Sequence, residues 1–148
     1  VVKHMPAKEQ IRQYNNTGTD NNYIVTRYAD VLLMYAEALL ANGNKEEAVK
    51  YVNQVRARVK LPALTAAELD LDKILLERRL ELTFEGHRYF DLVRTGKAID
   101  VITKALTTKV DYDDFIAITE PIPAYQLVLP IPVGEIEKDQ TLLQNSGY

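Results

Sequence analysis

Glu77, Glu81 and Glu85 stand four residues apart in the run ERRLELTFEGHR, a spacing of carboxyl groups that invites a catalytic reading. Hydrolysis of a glycosidic bond needs two carboxyls roughly 5–9 Å apart, and helix neighbours at i and i+4 have Cβ atoms about 5–6 Å apart. Catalytic carboxyls must flank the bond, however, whereas these three project in parallel from one ridge. Arg78, Arg79, Arg88 and Arg94 lie in the same stretch, with Asp91 as a further anion. Nearby guanidinium groups keep carboxyls ionised, while a general acid needs a raised pKa. The residue types therefore favour a structural ion-pair spine of Glu77, Arg78, Arg79, Glu81, Glu85, Arg88 and Asp91 over a hydrolytic centre.

The other reactive side chains are sparse. His87 lies beside Arg88 without a second histidine nearby, which favours a packed, hydrogen-bonded ring over a ligand or base. His4 sits in a polar terminus. Asp111, Asp113 and Asp114 offer hard oxygens in VDYDDF, but an EF-hand loop requires Gly at its sixth position and Glu at its twelfth, where Ile116 and Ile122 stand. A solvated acidic loop is the expectation. Ser146 is the sole serine, and neither a Gly-rich phosphate loop, HExxH nor GxSxG occurs. With 0 cysteines, thiolate catalysis, disulfides and cysteine-ligated zinc are excluded. No catalytic, cofactor or metal residues are assigned.

The 148 residues carry a net charge of −3, with 47% hydrophobic and 26% charged side chains, which describes a soluble globular domain. A mildly acidic balance without a basic stripe argues against nucleic acid. No apolar run reaches the ~18–20 residues that span a bilayer.

These side chains are positioned by helices. Residues 74–94 read as a helix whose Glu77, Arg78, Glu81 and Glu85 share one arc, with apolar residues around most of the remainder. Such a helix is expected to be buried, bent or ended at Gly86 and continued from His87 at a new angle. Residues 24–41 make a second helix of this kind, with Arg27, Asp30 and Glu37 on a narrow stripe and the apolar rest largely buried. Residues 45–59 form an ordinary amphipathic helix with Ala48, Val52, Val55 and Val59 inward. Gly43 fits a left-handed helix end and Asn44 the next N-cap, giving a helical hairpin. Leu61-Pro62 stops that helix. Thr65 and Glu68 have the spacing of a capping box, and Asp70 or Asp72 caps the central helix. A short helix follows over 98–106. Pro121, Pro123, Pro130 and Pro132 preclude helix through 125–133, so LVLPIP is extended. The expected fold is an all-α helical bundle with a tetratricopeptide-like hairpin and an irregular, Pro-rich C-terminal extension. A leading segment at 1–23 precedes the domain at 24–148.

YAEALLANGNKEEAVKYVNQV resembles a single tetratricopeptide-type unit, and an array needs about three. More specifically, RYADVLLMYAEAL, VRAR followed by LP, ERRLELTFEGHRYFDLVRTG, LPIP and LLQNSGY, in that order, resemble the C-terminal part of the SusD/RagB family. Asp139-Gln140 departs from the Asn-Pro pair usual there, and Ser146 stands where proline is common. The resemblance implies a helical, non-enzymatic protein that captures glycans or other nutrients. It also implies an outer-membrane, cell-surface location, a lipid anchor on an N-terminal cysteine outside this chain, and a SusC-type TonB-dependent barrel as partner. Full-length members are several times longer, so the chain is expected to be a fragment, and its two helices of little polar circumference want more neighbours than it offers, which predicts marginal stability alone. Trp is 0 and most of the 9 tyrosines fall at helical core positions, so no glycan-binding residues are assigned. A tetratricopeptide-type protein–protein adaptor is the alternative.

Overall fold

The computed structural model describes residues 24–107 and 120–148, and it is helical throughout its regular elements. In chain order these are α1 (Tyr28–Ala41), α2 (Lys45–Arg58), α3 (Leu71–Glu81), α4 (Arg88–Arg94), α5 (Ala98–Thr107) and α6 (Val133–Lys138), with a 3₁₀ turn at Ala124–Leu127. The chain divides into two compact units, Val1–Arg88 and Tyr89–Tyr148. The leading segment, His4 and the acidic run at Asp111, Asp113 and Asp114 lie outside the described residues.

In the first unit α1 packs chiefly on α2 and also on α3. The core is Leu32, Leu33 and Ala36 of α1 against Ala48, Val49, Val52 and Val55 of α2, closed by Leu69 and Ile74. Ala36 and Ala48 are both fully buried, and residues that small let the two helix backbones approach closely. The hairpin turn forms as expected. Gly43 takes φ +80, and the Asn44 side chain accepts from the Glu47 N–H at 3.3 Å. Asp70, not Asp72, caps α3, accepting from the Lys73 N–H at 2.7 Å. At Thr65 half of the capping box is present, with the Glu68 carboxylate accepting from the Thr65 N–H (2.8 Å) and hydroxyl (2.7 Å).

Four expectations about where elements begin, end and face need correction. α1 starts at Tyr28, because Arg27 is an extended N-cap (φ −134, ψ 166) and commits its side chain elsewhere. The central helix ends at Glu81, well before Gly86: Phe84 and Gly86 both take positive φ, which no helix accommodates. Val59 caps α2 and is exposed, while Val49 joins Ala48, Val52 and Val55 among the buried residues of the helix. Pro123 starts a 3₁₀ turn over Ala124–Leu127, and Pro132 leads into α6. A proline ring clashes with the chain before it and not after it, so helical turns follow it freely.

The two helices read as buried are only half covered. On α1, Tyr28, Val31, Met34 and Tyr35 are exposed while the charged Asp30 is 3% exposed. On α3, Leu76 and Leu80 are exposed while Glu77, Arg78 and Glu81 are buried. The ionic face points inward on both helices.

In the second unit Asp91, Leu92 and Ala98 are buried. Gly96 closes α4 at φ +70, and the Thr103 hydroxyl of α5 accepts from the Ile122 N–H at 3.3 Å. Residues 128–132 run extended and are met by the C-terminal tail.

Candidate functional site

The buried charged residues of α3 take partners from the mouth of α1, from α1 itself and from α2. Arg27, at the mouth of α1, reaches across to the end of α3. Its Nη1 donates to Glu81 Oε1 at 2.6 Å, its Nη2 to the Glu81 carbonyl at 2.5 Å, and its Nε to Glu85 Oε2 at 2.8 Å. One guanidinium thus satisfies a side chain, a C-terminal helix carbonyl that has no intrahelical donor, and the turn that follows. From the last turn of α2, Arg58 Nη2 donates to both carboxylate oxygens of Glu81, at 2.9 and 2.7 Å, and Arg56 Nη1 donates to Glu77 Oε1. Arg78 Nη1 meets Asp30 Oδ1 at 2.7 Å, both side chains 4% exposed. Every one of these contacts is a charge-assisted hydrogen bond, the stronger class.

The remaining residues of the expected spine are distributed differently. Arg79 is exposed and makes no ion pair among the described residues. It follows Glu77 by two residues, which turns it to roughly the opposite side of α3. Arg88, half-buried, donates from Nη1 to the Leu75 carbonyl at 3.4 Å. In the second unit Asp91 Oδ1 accepts from Arg94 Nε (3.1 Å) and Nη2 (2.8 Å).

The electrostatics follow from this arrangement. Burial pushes the Glu81 carboxyl up, but hydrogen bonds and charge from Arg27 and Arg58 outweigh it and hold the group below its ordinary value. Burial likewise works against the charge of Arg27, and Glu85 and Glu81 more than restore it. A carboxylate so stabilised gives up neither its charge nor its position. Glu81 is thus a poor general acid, and Glu77 and Glu85 are each tied to a guanidinium.

Sequence reasoning missed Arg56 and Arg58 as partners of α3. Their signal was the VRAR run, which places two arginines two residues apart at a helix end. It also missed two amide clamps. Asn53 bonds both backbone groups of Leu64, Nδ2 to O at 2.9 Å and Oδ1 from N at 2.8 Å. Gln144 does the same to Ile131, at 2.9 and 2.8 Å.

His87 is half-buried before α4, and Ser146 is exposed in the tail. Among the described residues no group of three or more metal-ligating side chains comes together. Among them, too, no helix is long and apolar enough to cross a membrane.

Comparison with known proteins gives the setting for this scaffold. The SusD family profile matches residues 1–148. A SusD-like protein of Formosa agariphila is 46% identical over 94 residues, covering 56% of this chain and 19% of that protein. The surface glycan-binding protein A of Bacteroides uniformis superposes with a TM-score of 0.72 at 37% identity, over 95% of this chain and 30% of its own. Its Bacteroides thetaiotaomicron counterpart, in complex with laminarihexaose, superposes with a TM-score of 0.68 at 36% identity, over 85% of this chain and 25% of its own. The chain therefore spans between 19% and 30% of the length of these proteins. With a matching profile along its whole length and relatives that share both sequence and helical fold, the chain belongs to the SusD family.

Proposed function

We propose that this chain is the C-terminal scaffold part of a longer, non-enzymatic protein that captures glycans at the outer-membrane surface. In this reading the complete protein is lipid-anchored and hands its ligand to a SusC-type TonB-dependent barrel. The observation that carries the proposal is the close likeness to surface glycan-binding proteins, one of them solved with laminarihexaose bound. The charge geometry supports it from the other side. Glu77, Glu81 and Glu85 are each clasped by arginine, so the strongest candidates for hydrolytic chemistry serve architecture. The exposed apolar faces of α1 and α3 fit a piece whose remaining packing partners belong to the rest of the polypeptide.

Isothermal titration of the complete protein against a panel of polysaccharides that includes laminarin oligosaccharides tests this reading, with the 148-residue chain as control. Saturable binding by the complete protein, without release of reducing ends, is the expected result. Turnover of any glycan, abolished by Glu81→Gln in a folded protein, would restore the enzymatic reading.

A further inference from the structure

The segment at 128–132 has a supply problem. Pro130 and Pro132 carry no N–H, so an extended run here can pair as a strand only along the edge that holds Leu129 and Ile131. Its backbone is nevertheless met, group by group, by side chains of the tail. Gln144 Nε2 donates to the Ile131 carbonyl at 2.9 Å, and Gln144 Oε1 accepts from the Ile131 N–H at 2.8 Å and from the Asn145 N–H at 2.9 Å. Asn145 Nδ2 donates to the Leu129 carbonyl and the Tyr148 hydroxyl to the Val128 carbonyl, at 2.8 and 2.9 Å. The Tyr148 ring meets Tyr125 edge-on with centroids 5.1 Å apart. Gly147, at φ +101, brings its Cα so close that an added Cβ would stand 2.4 Å from Tyr125 Cγ.

We infer that residues 144–148 are a strap that fixes the course of residues 125–131 through side-chain amides and a tyrosine, in place of strand pairing. The register is written in residue types: Gln144 serves Ile131, Asn145 serves Leu129, and Tyr148 serves Val128. A primary amide suits the first position because one side chain must donate and accept at once, as Asn53 does for Leu64 and as neither an ionised Glu nor Leu can do. The bonds lie in exposed or half-buried surroundings, so the strap opens locally as a unit of its own, at lower cost than the helices.

Amide hydrogen exchange of the 148-residue chain, read residue by residue by NMR, tests this. The Ile131 and Asn145 amides, which share the Gln144 oxygen, are expected to be protected. Both should accelerate by about 10-fold in Gln144→Ala, while the α2 amides of Val52 and Val55 keep their rates. Gln144→Glu retains the acceptor and loses the donor, so it should produce a smaller acceleration of the same two amides. Tyr148→Phe keeps the ring contact and should leave Ile131 protected more than Gln144→Ala does. The inference fails if Ile131 exchanges at the free-peptide rate in the unaltered chain. It fails equally if Gln144→Ala leaves that rate unchanged or accelerates α2 to the same degree.

Discussion

The two units of the chain solve one problem by different chemistry. In the first, irregular backbone at the end of α3 is fixed by charge: Arg27 bonds the Glu81 carbonyl, the Glu81 carboxylate and Glu85 together. In the second, irregular backbone at 128–131 is fixed by neutral amides and a phenol. Buried charges are costly unless paired, so an ionic anchor ties stability to every partner being present and ionised. Neutral amides carry no such condition, and each bond contributes little by itself. The end of α3 should therefore respond steeply to single substitutions and to acid, the segment at 128–131 gradually and locally. The Asn53–Leu64 clamp shows that the amide device operates in the first unit as well, beside the bond from Arg56 to the Pro62 carbonyl.

The sharpest way to break this contrast is Asp30→Ala. It removes the carboxylate facing Arg78 where both side chains are 4% exposed. Losing one partner of a buried pair costs about 3–5 kcal/mol, and urea denaturation should show a loss of that size in the first unit. A loss below about 1 kcal/mol, the ceiling for an ordinary surface pair, would mean that water or a second protein group meets the Arg78 charge.

Glu81→Gln comes next, at about 1–3 kcal/mol near neutral pH for a buried, hydrogen-bonded carboxylate. This variant also carries the pH test. The Glu81 carboxyl in the folded chain lies below its ordinary value of 4.5, so its contribution is complete above about pH 4.5 and disappears as pH falls through the lower, folded value. Unfolding free energies measured from pH 7 downward should decline below pH 4.5 more steeply in the unaltered chain than in Glu81→Gln. Parallel curves would remove Glu81 from the acid response and weaken the ionic half of the comparison.

Gly147→Ala moves the test to the second unit. The added methyl would meet the Tyr125 ring at a backbone φ of +101 that L side chains rarely adopt. About 1–3 kcal/mol of local destabilisation is expected, seen as faster Ile131 amide exchange without a change in the α2 amides.

Much of this organisation was legible in the residues themselves. The hairpin was readable because Gly43 and Asn44 act within a few residues of chain, and for the same reason the cap of α3 was narrowed to Asp70 or Asp72, of which the fold uses Asp70. The break after Glu81 was not, and the reason is instructive. Glu85 continues the four-residue spacing of Glu77 and Glu81, so the charge pattern reads as unbroken helix. In the fold Glu85 reaches Arg27 from a turn, so spacing by partner mimics spacing by helix. The extent of burial was overestimated for a related reason. An apolar circumference on α1 predicted a largely covered helix with its ions paired inside; Asp30 and Arg78 do pair inside, and the charged stripe that they turn inward leaves Val31, Met34 and Tyr35 outside. The amide clamps were invisible because each joins residues 11 or 13 positions apart through side chains that carry no periodic signal.

The smallest expected effect sharpens the comparison between glycines. Gly43 and Gly147 both take positive φ, +80 and +101, yet a Cβ at Gly43 meets nothing within 4 Å. Gly43→Ala should therefore cost only the left-handed backbone penalty, about 1 kcal/mol, read as a modest shift in the urea midpoint. Gly147→Ala adds the collision with Tyr125 to the same penalty, so the difference between the two variants isolates what the tyrosine contact demands of the tail. Equal costs would mean that the Tyr125 ring swings aside without loss. The Tyr125–Tyr148 contact would then add nothing to the hold of Gln144 and Asn145 on the backbone beneath it.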